Sequence, residues 1–331
     1  MKILVLGGTV FLSRHVAQTL IERGHDVTCL ARQPHGRAPA GARVAVADRT
    51  GAAAYESVEG PWDCVIDVAS DPTFVRDALR VLAPRTRHWV YVSSCSVYAD
   101  QDEPDRDESG TLLEALAEGE ASTPENYGAS KVAGEVACRR ALGERLLVVR
   151  PGLIVGPGDP SDRGGYWPAR FVRDREPVLV PEAHGVYAQV IDVRDLAEWM
   201  AHCVEDSLVA TCNAVGDARP LSSLLDEMRR TLEHAGDVVV APDRWLLDRG
   251  VAPWAGPESL PLWIPRGRAF DGFSRRDNTA ARRAGLRLRP LAETVFATRD
   301  AEVSLGLGRA RRAGLSPARE SALIAEFVGE R

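Results

Sequence analysis

Two segments of this 331-residue chain carry residue types suited to moving a proton. Ser93-Ser94-Cys95-Ser96-Val97-Tyr98 follows the strand formers Trp89-Val90-Tyr91-Val92, which puts its hydroxyls at the C-terminal end of a strand. Tyr127-Gly128-Ala129-Ser130-Lys131 opens a proline-free stretch, 126–142, that reads as a helix. Residues four apart share a helix face, so Tyr127 and Lys131 point the same way. A phenol with a pKa of about 10 exchanges protons poorly at neutral pH unless a cation favours its phenolate. Lys131 supplies that cation, and the Ser94 hydroxyl can hold a substrate carbonyl beside the phenol. A lone Tyr-x-x-x-Lys equally describes an exposed surface helix. The surrounding elements decide between the two readings.

Those elements alternate. Residues 2–6 form an apolar strand, Gly7-Gly8-Thr9-Val10-Phe11-Leu12-Ser13 a turn, 14–23 a helix ended by Gly24, and 26–31 a second strand. A helix opening at a glycine turn offers backbone N–H groups and its dipole to a phosphate. Strands follow at 43–47 and 64–69. A helix at 71–82, with Asp71 as N-cap and Pro72 at the first position, leads to the serine strand at 88–94. After the tyrosine helix comes a buried strand at 145–150. This order predicts an α/β Rossmann-type fold, a doubly wound parallel sheet with ligands beyond the C-terminal strand ends. We assign 1–150 to a dinucleotide-binding domain and 151–331 mainly to a smaller α/β substrate-binding domain, with segments near 190–215 returning to the first.

Beyond residue 150 the alternation ends. Helices are expected at 166–173, 195–203, 221–234 and 316–327, and a strand at 210–215. The stretch 100–120 is acidic and reads as a solvated loop, though it joins the serine strand to the tyrosine helix and is placed to act as a lid. Trp245, Trp254 and Trp263, set among prolines, read as a small core.

Composition narrows the function classes. A net charge of −6 argues against nucleic acid as the main partner, and no apolar run approaches the length needed to cross a bilayer. The six cysteines are scattered without a Cys-x-x-Cys pair, which points to reduced, buried thiols in a cytoplasmic protein and to no metal site.

Taken together, the motifs resemble the extended short-chain dehydrogenase/reductases, the NAD(P)-dependent epimerase/dehydratase group. The resemblance rests on Gly7-Gly8-Thr9-x-Phe11-Leu12, Ser93-Ser94, Tyr127-x-x-x-Lys131, Arg150-Pro151 to Gly156-Pro157, and Val190-Ile191-Asp192-Val193-Arg194-Asp195-Leu196-Ala197. It implies that Tyr127 is the general acid/base, that Lys131 lowers its pKa and holds the nicotinamide ribose, and that Ser94 holds the substrate oxygen. It further implies cofactor contacts from Gly7, Gly8, Thr9, Phe11, Leu12, Arg32, Asp48, Arg49, Ala69 and Pro151. Substrate contacts fall to Ser70, Cys95, Ser96, Trp167 and Gln189. A homodimer through the helices at 71–82 and 126–142 is also implied, with Leu79, Val81, Leu82, Val132 and Val136 as its apolar surface.

Departures from the family pattern are as informative. The second and third glycines of the cofactor loop are Val10 and Ser13, as in a subgroup reading Gly-Gly-Thr-x-Phe-Leu, so Val10 should crowd a pyrophosphate. Cys95 and Ser96 replace the Asp-Glu pair of sugar-nucleotide dehydratases, which disfavours water elimination. Leu153 replaces an asparagine that contacts the substrate in UDP-galactose epimerase-like members. The second strand ends without an acid for a ribose 2′-OH, and Arg32 stands there with Arg37 and Arg14 nearby, so NADP(H) is preferred over NAD(H).

The reading is an oxidoreductase moving hydride between a nicotinamide cofactor and a carbonyl or secondary alcohol of a small molecule. An epimerase acting by transient oxidation or by enolisation, with Cys95 as acid/base, stays open. So does a non-catalytic dinucleotide sensor or RNA-associated protein.

Overall fold

Short apolar strands that are buried on both faces need helices above and below, and the first half of the chain supplies them in turn. A computed structural model of the chain describes residues 1–32, 37–51, 53–58, 60–267 and 270–330. The central strands are β1 (Lys2–Leu6), β2 (Asp26–Ala31), β3 (Arg43–Val46), β4 (Trp62–Asp67), β5 (Thr86–Val92) and β6 (Leu146–Pro151). Four short strands intervene before the last member: β7 (Leu153–Val155), β8 (Val178–Pro181), β9 (Tyr187–Ala188), β10 (Val190–Asp192), then β11 (Ala210–Ala214). The seven-stranded sheet runs β11-β6-β5-β4-β1-β2-β3, and every pairing in it is parallel. The fold is therefore Rossmann-like α/β. The order reverses between β1 and β4, which opens a crevice beyond their C-terminal ends.

Helices α1 (Phe11–Glu22), α2 (Pro72–Leu82), α3 (Tyr127–Leu142), α4 (Tyr166–Arg173) and α5 (Val193–Glu205) follow in order. Alternate residues of β1 sort the layers. Ile3 and Val5 pack with Val16 and Leu20 of α1 and with Leu196 and Met200 of α5. Leu4 and Leu6 share the opposite core with Val75 and Leu79 of α2 and Cys138 of α3. Asp71 caps α2 by accepting from the Thr73 N–H at 2.8 Å. Helix α1 starts at Phe11, three residues earlier than predicted, because Val10 takes the extended capping conformation without a glycine.

A second core gathers Trp167, Phe171, Leu224, Trp263 and Phe327. Around it lie β8 paired with β13 (Val238–Ala241), and β9 paired with β12 (Arg219–Pro220). Strands β14 (Ala252–Trp254) and β15 (Ser259–Pro261) also pair. The helices here are α6 (Leu221–Thr231), α7 (Asp243–Asp248), α9 (Leu291–Leu305) and α10 (Pro317–Gly329), whereas α8 (Thr279–Arg283) returns to pack Ala281 into the first core. Among the described residues no helix is long and apolar enough to cross a membrane.

The three tail tryptophans do pack at the second core, Trp263 inside it and Trp245 and Trp254 half-buried against it, where Trp245 also lies under the Arg249 guanidinium and Trp254 also lines the inter-core cleft. Other sequence expectations change here. The acidic stretch is stitched down rather than merely solvated. Leu113 and Leu116 donate backbone bonds to Val97 and Ala129, and the Gly272 N–H donates to Gln101. Leu79, Leu82 and Val132, expected on a dimer surface, face the protein's own core, which leaves Val81 (36% exposed) and Val136 (38%) outside. All six cysteines are free and buried.

Candidate active site

The C-terminal ends of β1, β4, β5 and β6 open into one cleft of about 1010 Å³, lined by Val10–Ser13, Ser70, Ser93–Ser96, Tyr127, Lys131, Pro151 and Gln189. From the other side come Arg163, Trp254, Phe273 and Ser274. The cleft therefore joins the start of α1 to the serine turn and the tyrosine helix.

Close packing seats the tyrosine beside the serine. A Cβ on Gly128 would lie 2.3 Å from the Ser96 carbonyl oxygen, so only glycine lets the first turn of α3 approach the serine turn this closely. Beneath it, Glu135 is buried and takes bidentate bonds from Arg150 (2.9 and 2.7 Å) and one from Ser93 Oγ (2.6 Å). The Tyr98 hydroxyl accepts from Arg150 (2.9 Å) and donates to Asn213 Oδ1 (2.6 Å). Burial raises the Glu135 pKa, but the Arg150 bonds and charge outweigh it and hold the carboxyl below its ordinary value. This network locks α3 to β5, β6 and β11.

Lys131 is fully buried, and its Nζ donates to the carbonyl oxygens of Val92 (2.6 Å) and Ala69 (2.7 Å). Burial lowers its pKa to about 8. Burial raises that of Tyr127, opposed by a hydrogen bond with Ser94 and by the charge of Arg163. Lys131 thus loses its proton before the phenol does, and the cation whose charge lowers the Tyr127 pKa is Arg163, while Lys131 Nζ lies 6.0 Å from the centre of the Tyr127 ring. The Ser94 Oγ also accepts from the Ser96 N–H (3.1 Å), which fixes its position.

The residues present fit a dinucleotide. Gly8 has φ +87°, and a Cβ there would meet Cys29 Sγ at 2.3 Å, so the turn brings backbone close to the sheet edge. Val10 caps α1 without a side-chain bond, which leaves the first N–H groups facing the cleft. A second cavity of about 530 Å³ lies past the end of β2, lined by Thr9, Arg14, Ala31, Arg32 and Arg37 among others. Arg14 Nε donates to the Arg37 carbonyl oxygen at 3.1 Å.

The sequence matches the NAD dependent epimerase/dehydratase family over residues 3–211. The chain belongs to that family. A comparison with curated protein sequences returned no significant match. Solved epimerase structures share the fold. UDP-glucose 4-epimerase from Bifidobacterium longum, in complex with NAD+ and UDP, superposes with a TM-score of 0.65 at 15% identity, covering 93% of this chain and 100% of its own. UDP-N-acetylglucosamine 4-epimerase from Bacillus cereus gives 0.65 at 16%, covering 95% and 100%. For UDP-glucose 4-epimerase from Thermotoga maritima the values are 0.64 and 17%, covering 92% and 99%.

Within this epimerase/dehydratase chain, several expected site residues have other duties. Trp167 is 0% exposed in the second core, its Nε1–H donating to the Pro261 carbonyl oxygen (2.8 Å), and it does not line the cleft. Arg49 is clamped on Asp67 (2.9 and 3.0 Å), while Asp67 also accepts from the Ala69 N–H, so Arg49 supports the Ala69–Lys131 contact from behind. Gln189 reaches the cleft wall, but its amide is spent on Gly216 and Arg276 backbone. Asp48 is exposed and accepts from Thr50, the main reason its pKa falls. Ser70, Ser96 and Pro151 line the cleft as expected residues, and Val10, 51% exposed, projects into it. Cys95 lines it too, but its thiol donates to the Arg150 carbonyl oxygen (3.3 Å), and burial pushes its pKa up to about 12. Arg163, Trp254, Phe273 and Ser274 escaped the sequence reading. Arg163, Phe273 and Ser274 sit on irregular segments and Trp254 at the end of the short strand β14, where no periodic pattern marks them.

Proposed function

We propose that this family member transfers hydride between NADP(H) and a carbonyl or secondary alcohol of a small molecule, with Tyr127 as the proton donor and acceptor. The observation that carries this reading is the meeting of Ser94, Tyr127 and Lys131 at one wall of a cleft that runs to the start of α1. A nicotinamide cofactor supplies or accepts the hydride when bound. In reduction, Ser94 holds the carbonyl oxygen and Tyr127 gives it a proton; in oxidation, Tyr127 takes the proton from the alcohol. Lys131 holds the ribose side of the site, and its low pKa lets it pass a proton on near neutral pH. Arg14, Arg32 and Arg37 around the cavity beyond β2 favour a 2′-phosphate, because guanidinium pairs with phosphate through parallel charge-assisted bonds.

Epimerisation by enolisation at Cys95 loses its base, since a thiol with a pKa of about 12 carries almost no thiolate at neutral pH. Epimerisation by transient oxidation uses the same three residues and differs only in consuming no cofactor. A screen of carbonyl compounds for NADPH oxidation, run with wild type and Tyr127→Phe, tests the proposal. Wild type turns over, and Tyr127→Phe loses about 10²–10⁴-fold with NADPH affinity within a few-fold. Equal rates in the two proteins would remove Tyr127 from the mechanism.

A further inference from the structure

We propose that Arg163 recognises a carboxylate or phosphate that the substrate carries close to its reacting carbon. The inference rests on the hydride-transfer reading and adds a substrate class to it. Arg163 lies in the same cleft as Tyr127 and Ser94, on the wall contributed by the loop after β7. Its guanidinium stacks on the Trp254 ring, 5.0 Å from the centroid, and Phe273 meets that ring edge-on at 5.0 Å. Stacking leaves the in-plane N–H groups of the guanidinium free to point away from the ring. Only Nε has a side-chain partner, the Ser161 hydroxyl at 3.2 Å; among the described residues no carboxylate forms an ion pair with Arg163. Most arginines around the second core are paired, as Arg170 and Arg173 are with Glu320, and Arg309 and Arg311 with Glu302. Arg163, without such a pair among the described residues, lines the cleft.

The loop is built to hold it there. Asp159, the acid nearest in sequence, accepts from the Ser161 N–H (2.8 Å) and the Gly164 N–H (3.0 Å), so its oxygens are committed to the turn. Asp162 takes φ +62° and points the other way, accepting from the Arg312 N–H at 2.7 Å and from Arg309. The adjacent residue is thereby turned into the cleft. Burial lowers the pKa of Arg163, the signature of a guanidinium stripped of water, and Asp159 restores only part of that loss. A desolvated cation beside an aromatic wall and a catalytic phenol gains most from an anion that binds it through two parallel bonds. An anionic group there would place the neighbouring carbon against Tyr127.

The test uses isothermal titration of the protein saturated with NADP+, which keeps the cofactor's own anion sites occupied. Oxamate, oxamide and inorganic phosphate are the probes. Oxamate and oxamide share a shape and differ in charge; phosphate separates a phosphoryl substrate from a carboxylate one. We expect oxamate or phosphate to bind at least about tenfold tighter than oxamide, the scale of charge-assisted hydrogen bonds. Arg163→Met removes the difference, and Arg163→Lys keeps part of it. Equal binding of charged and neutral probes, no binding of either anion at tens of millimolar, or an unchanged difference in Arg163→Met overturns the proposal. Bound NADP+ without anion selectivity sinks this inference alone, whereas failure to bind NADP+ takes the hydride-transfer reading down with it.

Discussion

The two walls of the cleft are built in different ways. On the sheet side, each reactive group sits on a strand end or the first turns of a helix and is backed by buried polar bonds: Lys131 by two carbonyl oxygens, Ser93 by Glu135, and Ser94 by the Ser96 N–H. On the opposite side, Arg163, Phe273 and Ser274 come from two loops and Trp254 from the end of the short strand β14, three segments far apart in sequence. The first wall is fixed by regular structure and suits a step shared across a family. The second can change one segment at a time without disturbing the sheet, which is why we propose that wall as the seat of substrate choice.

Glu135 beside the sheet and Glu320 in the second core are each 1% exposed, and removing each in turn sharpens the contrast. Glu135 ties Arg150 and Ser93 together, and Glu320 ties Arg170, Arg173 and the Leu179 N–H. Removing one partner of such a cluster strands a buried charge and costs about 3–5 kcal/mol. Glu135→Ala and Glu320→Ala should both melt earlier, but only Glu135→Ala should also lose turnover in the molecules that remain folded. Equal loss of turnover in both would show that the walls are not independent.

A pH series on Lys131 probes the sheet side alone. Its pKa falls from 10.5 to about 8 on folding, so between those values the unfolded chain binds more protons than the native one. Stability from this group therefore rises as pH increases from about 8 toward 10.5, by up to about 3 kcal/mol at about 1.36 kcal/mol per unit. Denaturant unfolding of wild type and Lys131→Met should show wild type gaining on the mutant across that window. Parallel curves would place the native pKa near its ordinary value.

Gly128→Ala offers a finer break. The new methyl meets the Ser96 carbonyl oxygen, so the first turn of α3 must shift and carry Tyr127 with it. A displacement near 1 Å costs about 10²-fold in turnover. NADPH affinity should stay within a few-fold, because the turn at Gly7-Gly8 is untouched. A mutant with full activity would mean that the spacing of Tyr127 from Ser94 is not critical.

The same contrast governs what the sequence revealed. Gly7-Gly8, Ser94 and the Tyr127–Lys131 pair were legible because strand, turn and helix each leave a short local signature. The parallel sheet followed from the alternation of those signatures. Trp167 was misplaced because a tryptophan among apolar residues looks the same whether it lines a cleft or fills a core; the bond to the Pro261 carbonyl decides it. Helical spacing put Lys131 on the Tyr127 face of the helix, but it cannot show that burial would drop the lysine pKa to about 8. Arg163 and Trp254 meet only through folding, and no local pattern links positions 163 and 254. Helix α9 and the β8–β13 pair were not anticipated for the same reason, as their order follows from packing around the second core.

Affinity for the two nicotinamide cofactors tests the central claim most directly, because it needs no substrate. Arg32 follows β2 where an acid would select NAD(H), and it lines the cavity with Arg14 and Arg37. Fluorescence titration of NADPH and NADH into wild type and Arg32→Ala should give about tenfold to a hundredfold tighter NADPH binding in wild type, with most of that margin gone in the mutant. Equal affinities in wild type, or an unchanged margin in Arg32→Ala, would contradict the account.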